Sequence, residues 1–302
     1  MGWKLLLSFI FVLFAILSLM VYWFVPLETN IFTMKPTNSN FSVGNNDALQ
    51  FYPNMRFTSS EISYKIDGCA LQKKDDMERA FEILSEETIL TFHPVFFEED
   101  ISITCEERNR MNGSLFIAGE GGPTNVAVSG KFNIILNGEI LLIKSSFCSN
   151  PNIALHELLH ALGFDHSTNE NNIMYEITRC EQTLGEDIPE LINKLYSIPS
   201  YPDLVFENVS ATMNGNYLNL NLSIRNAGLN DAPRSNLIIY ANGDSVKTIP
   251  LDEIQIGHGR GITLENNWIK VRNVEKLEIL IKSNFTELDK ENNKVILEVD
   301  GN

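Results

Sequence analysis

Eleven residues near the middle of the chain dictate more local geometry than any other stretch: His156-Glu157-Leu158-Leu159-His160-Ala161-Leu162-Gly163-Phe164-Asp165-His166. Three of the chain's five histidines lie here. His156 and His160 are four residues apart, so a helix sets them on one face, one turn from each other. Gly163 can take the positive φ that reverses the chain and brings His166 back towards that face. Three neutral nitrogen donors with an open fourth position describe a catalytic metal centre rather than a closed structural one. Glu157, beside the first donor, can lean over the ion without binding it. Leu155, Leu158, Leu159 and Leu162 pack the helix's other side, Asn150 is the expected cap, and Pro151 suits the first turn.

Residues 54–198 around this segment read as mixed α and β. Ile62, Tyr64 and Ile66 alternate as a strand does, and Met77, Ala80, Phe81 and Leu84 recur at helical spacing. Ile89–Phe92, Ile101–Thr104, Leu115–Ala118 and Phe132–Leu136 are further expected strands. Asn137-Gly138 is a two-residue hairpin signal leading into Glu139–Ile143. A last helix begins near Asp187, with Pro189 just inside. Ile198, Pro199, Ser200, Tyr201 and Pro202 break the pattern and mark a domain boundary. Residues 203–302 are all-β in character: Leu218, Leu220, Leu222 and Ile224 alternate with polar residues, and Asn242-Gly243 is a second hairpin signal.

The zinc-binding segment resembles the signature of the metzincin metalloproteases. Asn171-Asn172-Ile173-Met174-Tyr175 is similar to that family's Met-turn. Ser167 after the third histidine and the Met-Tyr pair look most like the matrixin branch; an astacin or an archaemetzincin would differ at Glu176 or Ser167. The resemblance covers about 55–198 and implies an α+β catalytic domain built from a twisted mixed sheet plus the active-site helix. It further implies zinc held by His156, His160 and His166, Glu157 as general base, and Met174 as a hydrophobic floor. Protein or peptide substrates would lie extended along an edge strand, for which Asn125–Val128 is the candidate. The loop around Tyr175–Cys180 would form the wall of the S1′ pocket. Many matrixins are kept latent by a propeptide cysteine, which is not expected here because none precedes Cys69. Calcium is common in the family, but no clear acidic loop assigns it. Residues 203–302, through Asp203-Leu204, Asn226-Ala227-Gly228 and Glu287–Asn293, resemble the CARDB module, an immunoglobulin-like sandwich. That implies spacing, substrate docking or attachment to a cell-surface ligand.

Leu5 to Val25 forms an uncharged apolar run, long enough as a helix to cover the roughly 30 Å of a bilayer core. No small-x-small cleavage site follows it, so residues 1–26 read as a signal anchor and 27–53, rich in Asn, Thr, Ser and Pro, as a stalk. Lys4 before the run and Glu28 after it orient the remainder outward, as a single-pass protein of the cell membrane, or a secreted one if the segment is cleaved. Cys69, Cys105, Cys148 and Cys180 suit an oxidising exterior. Three pairings are open; Cys69–Cys105 with Cys148–Cys180, each flanking one helical unit, is the expectation. With 39 acidic against 23 basic residues and a net charge of −16, the chain would repel phosphate backbones, which argues against nucleic acid as a partner. The expected function is zinc-dependent endopeptidase; the rival is a surface adhesion protein with an inactive protease-like domain, or a binding module whose metal is purely structural.

Overall fold

The apolar residues divide into two separate cores, and the chain divides with them. The computed structural model describes residues 2–24, 29–33, 49–108, 110–112, 115–145 and 148–298. One unit comprises Met1–Asn40, Pro202–Asn226 and Asp231–Asn302; the other comprises Phe41–Tyr201 and Ala227–Asn230.

The first unit begins with helix α1, Gly2–Phe24, and strand β1, Thr29–Thr33. The described side chains of α1 run unbroken only from Leu7 to Met20 and are all exposed. Among the described residues no helix is long and apolar enough to cross a membrane, so the expected transmembrane helix is not met there.

The second unit contains β2 (Met55–Phe57), β3 (Glu61–Asp67), α2 (Leu71–Glu87), β4 (Thr91–Pro94) and β5 (Ile101–Cys105). The short hairpin β6 (Arg110–Asn112) and β7 (Leu115–Ile117) leads to the long strands β8 (Gly119–Ser129) and β9 (Phe132–Leu142), then α3 (Asn152–Ala161) and α4 (Asp187–Tyr196). β4, β3, β5 and β9 pair in parallel, with β2 continuing alongside the first part of β9. β8 runs antiparallel along the other side of β9 and forms the sheet's outer strand. Met77, Ala80, Phe81 and Leu84 bury one stripe of α2 against this sheet, in a single core with Leu155, Leu158 and Leu159 of α3. Each of these side chains larger than Ala80 contributes about 1.5–3 kcal/mol by leaving water. Cys69–Cys105 ties the entry of α2 to the end of β5, and Cys148–Cys180 closes the second expected pair.

Two local expectations fail. Asn137-Gly138 makes no turn: β9 runs straight through it, because Gly138 is paired on both sides, with Pro123 of β8 and Ile101 of β5. The chain reverses instead at Gly130, whose φ is 57°. Asn150 is not the cap of α3: Pro151 occupies that position with no side-chain cap, and Asn152 spends its amide on the Arg179 carbonyl at 2.6 Å.

The other unit continues with β10 (Leu204–Asn214), β11 (Tyr217–Asn226), β12 (Ser235–Ala241), β13 (Asp244–Leu251), β14 (Gly259–Trp268), β15 (Lys276–Lys282) and β16 (Lys294–Glu298). Two four-stranded sheets, β1-β10-β11-β14 and β13-β12-β15-β16, enclose the second core. The expected stalk, 27–53, is thus corrected at both ends. Thr29–Thr33 is an edge strand paired residue by residue with Ser210–Asn214. At the other end, the Leu49 carbonyl accepts from Asp165 N–H, and Phe51 N–H donates to the Gly163 carbonyl, each at 3.0 Å.

Candidate active site

α3 brings His156 and His160 together with ring centroids 4.5 Å apart, edge to face, and both are buried. Gly163 follows with a φ of 93°; a Cβ there would also lie 2.8 Å from Met55 Cβ, so only glycine fits this corner. The reversal delivers His166, whose Nε2 lies 3.1 Å from His160 Nε2. The ligand atoms of all three histidines lie within 4.8 Å of one another, and no other set of three His, Cys, Asp or Glu side chains among the described residues converges so.

Backbone carbonyls set the tautomers. His156 Nδ1 lies 2.7 Å from the Ile173 carbonyl and His160 Nδ1 lies 2.8 Å from that of Phe164. A carbonyl only accepts, so each Nδ1 carries the proton and each Nε2 directs a lone pair at the shared point. Burial first, then the neighbouring imidazole of His160, pushes the His156 pKa down to about 4; burial lowers His160 as well. Both are therefore neutral near pH 7, the form that binds a metal. His160 Nε2 and His166 Nε2, 3.1 Å apart, are close enough to share one proton or to face one cation. Tetrahedral zinc with Zn–N of about 2.0–2.1 Å places its nitrogens roughly 3.3 Å apart, so this donor set fits zinc.

Met174 is buried in a turn organised by Asn172, whose Oδ1 accepts from Met174 N–H at 2.8 Å. The Met174 carbonyl accepts from Ser167 N–H at 2.8 Å, hooking the turn to the residue after the third histidine. The same turn supplies the Ile173 carbonyl that orients His156. Asn172 was a readable signal, since an Asn two residues before a bonded N–H makes an Asx-turn. Phe51 was not readable: it stacks on His160 at 5.7 Å from a segment that looks like a linker.

Glu157 is buried where β8 touches α3. A Cβ on Gly119 would stand 2.7 Å from Glu157 Cγ, and one on Gly121 2.3 Å from the Glu157 carbonyl oxygen. These glycines let the strand lie directly against the carboxyl group. Burial raises the Glu157 pKa to about 8, and the charge of Glu120 adds to the rise. Arg110 holds Glu120 at 3.3 Å and Glu106 at 2.7 Å.

A cavity of about 820 Å³ opens over the histidines and Glu157, between Ile117–Gly121 on one side and Glu176–Cys180 on the other. The expected wall at Tyr175–Cys180 lies there, but the expected edge at Asn125–Val128 does not line it. The register of β8 shifts between Pro123 and Val126, and the end of the strand beyond that irregularity is not at the cavity. In the sandwich, the first carboxylate of the acidic run after 286 is spent on structure. Buried Glu287 accepts from Leu204 N–H at 2.9 Å, Ser283 Oγ at 2.5 Å and Asn293 Nδ2 at 2.8 Å. Among the described residues only the three histidines bring three ligand atoms together, and calcium stays unassigned.

Residues 56–197 match the matrixin family of peptidases and residues 201–296 match CARDB. The first region is therefore similar to the matrixins, a family of metallopeptidases, and the second to CARDB domains. Solved structures similar to this chain include the CARDB domain of a Pyrococcus furiosus protein in complex with di-metal ions. It is 18% identical, covers 33% of this chain and 88% of its own, and has a TM-score of 0.27. A domain of a candidate cell surface protein from Methanosarcina acetivorans is 17% identical, covering 33% and 93% respectively, with a TM-score of 0.26. No curated protein matches the chain.

Proposed function

We propose that this chain is a zinc-dependent endopeptidase, anchored in a membrane by its N-terminal helix with the catalytic unit outside. The observation that carries the reading is the convergence of three imidazoles beside a buried carboxyl group that has no hydrogen-bond partner among the described residues. Held by His156, His160 and His166, zinc supplies a Lewis acid and acidifies water from a pKa of 15.7 to roughly 7. Glu157 takes the proton of the attacking water as its oxygen bonds to the scissile carbonyl carbon. It returns that proton to the amine as the C–N bond breaks. A dication beside it lowers its raised pKa towards neutrality, where a group serves as both base and acid. The unpaired outer side of β8 at Gly119–Gly121 offers backbone N–H and C=O groups to an extended peptide.

Anchoring is supported by the uncharged apolar run of the sequence from Leu5 to Val25. Its exposed apolar side chains from Leu7 to Met20 suit lipid better than water. Lys4 before the run and Glu28 after it favour an outward catalytic unit, and the two disulfides suit an oxidising exterior. The sandwich is assigned to a cell-surface ligand.

The test uses the full chain in detergent, assayed on unfolded protein and a quenched peptide library, with zinc quantified, beside Glu157→Ala. One zinc per chain in both proteins is expected. Cleavage should be lost to a chelator and reduced at least about 100-fold in the variant. Zinc in both with cleavage by neither would overturn the enzyme in favour of the adhesion protein. A folded chain without zinc would remove the site itself.

A further inference from the structure

The charges around the cavity are not evenly compensated. Arg179 is held by Glu170 at 2.9 Å, Glu120 by Arg110 at 3.3 Å, and Lys144 is not without a partner. Glu176, exposed on the wall, forms no hydrogen bond or ion pair among the described residues. Beside it Ile177 is 42% exposed, and Ile153 lines the same cavity. The wall thus presents an apolar surface ending in a free carboxylate. That arrangement matches a lysine or arginine side chain, whose methylene stem packs on apolar surface while its head stays charged. The field of the whole molecule points the same way: a net charge of −16 draws cationic segments in and repels acidic ones.

We infer that Glu176 is a specificity-determining residue, selecting peptides that present a basic side chain to the cavity wall. The inference rests on the peptidase reading and names its substrate class. An ion pair at a partly exposed site favours the cationic side chain by about 1.5- to fivefold, and screening by salt reduces it.

The experiment compares paired peptides carrying lysine or its uncharged isostere norleucine at each of three positions after the scissile bond. It uses the full chain in detergent, Glu176→Gln and Glu181→Gln. Glu181 is exposed but does not line the cavity, so it controls for overall charge. At one position wild type should prefer lysine by about 1.5- to fivefold in kcat/KM. The preference should fall to about one in Glu176→Gln, persist in Glu181→Gln, and shrink as salt rises from about 0.05 to 0.5 M. A ratio near one in wild type, or equal loss in both variants, overturns the inference while leaving the peptidase intact. Binding of the same peptides, labelled, to Glu157→Ala reads the preference without turnover. There, equal Kd values for the two peptides overturn it even if nothing is cleaved, and a several-fold tighter lysine peptide supports it.

Discussion

Replacing Arg56 with Met removes a cation that is 1% exposed and has no carboxylate among its hydrogen-bond partners. All five of its N–H donors are used. Nε donates to the Phe57 carbonyl at 2.9 Å, and Nη1 donates to those of Leu195 and Ile198 at 2.5 and 2.9 Å. Nη2 reaches the Thr58 carbonyl at 3.1 Å and Ser200 Oγ at 3.0 Å. The guanidinium also lies 4.4 Å from the centre of the Tyr196 ring, and burial lowers its pKa. It therefore clamps β2 to the end of α4. Met keeps most of the stem's volume, so the cavity cost is small. The Thr58 carbonyl keeps Ser200 Oγ as a donor. The carbonyls of Phe57, Leu195 and Ile198 lose theirs, at about 1–3 kcal/mol each. Relief from burying an unpaired charge returns several kcal/mol of that. The remainder should be a loss of about 2–4 kcal/mol, which is about 1–2 M in urea midpoint for a domain of this size. The chain supplies its own control. Its tryptophans are Trp3, Trp23 and Trp268, so beyond α1 tryptophan fluorescence reports the sandwich alone, while circular dichroism reports both units. The variant should move the catalytic transition and leave that of Trp268 in place. A midpoint unchanged or raised in Arg56→Met would show that desolvation outweighs the hydrogen bonds, and would refute the clamp.

Gly163→Ala should cost about 2–4 kcal/mol, because φ is 93° and the new Cβ meets Met55. Zinc titrated against a competing chelator should bind more weakly as His166 is displaced. Replacing Cys148 and Cys180 together by serine opens a loop of separation 32 and should cost about 3.5 kcal/mol in the catalytic transition by circular dichroism. Asp203 is raised from 3.8 to about 6, chiefly by burial. The folded sandwich thus binds this proton more tightly than the unfolded chain, so the contribution of Asp203 to stability is fully present below about pH 4 and is lost as pH rises through 6. Discounted for its partial exposure, the fall is about 1–2 kcal/mol, and Asp203→Asn should remove it from the Trp268 transition. Removing residues 1–48 strips β1 and bares the edge of β10. Gel filtration should then show association that full-length chain in detergent lacks.

The catalytic centre was legible because its chemistry is local in sequence: helix periodicity and one glycine place all three histidines within eleven residues. Its supports were not, because Phe51, Ile173 and Gly119 reach the site only through folding. The same dipeptide shows both outcomes. Asn242-Gly243 turns, with φ of 49° and 93°, just past Ala241, the last residue of β12 in register with β15, where β13 begins. Asn137-Gly138 carries the same propensity, but pairing on both flanks of β9 holds it extended. Local turn chemistry decides where the neighbours leave a choice, and tertiary pairing decides where they do not.

The strand at Thr29–Thr33 changes what the segment after α1 does. A stalk would carry everything beyond it away from the membrane. Only residues 25–28 separate α1 from β1, a reach of at most roughly 18 Å from Phe24 to Thr29. β1 is the edge strand of the sandwich, paired with β10, whose sequence begins after the whole catalytic region. The catalytic region is therefore an insertion between two adjacent strands of one sheet, an arrangement tolerated because the ends of a domain are often close together. With α1 in a membrane, that edge of the sandwich is held near the surface by a handful of residues. The protease is then joined to the anchor through a folded domain rather than through a spacer. A single cut between residues 34 and 48 would leave five residue pairs still holding the carboxy-terminal portion to the anchor.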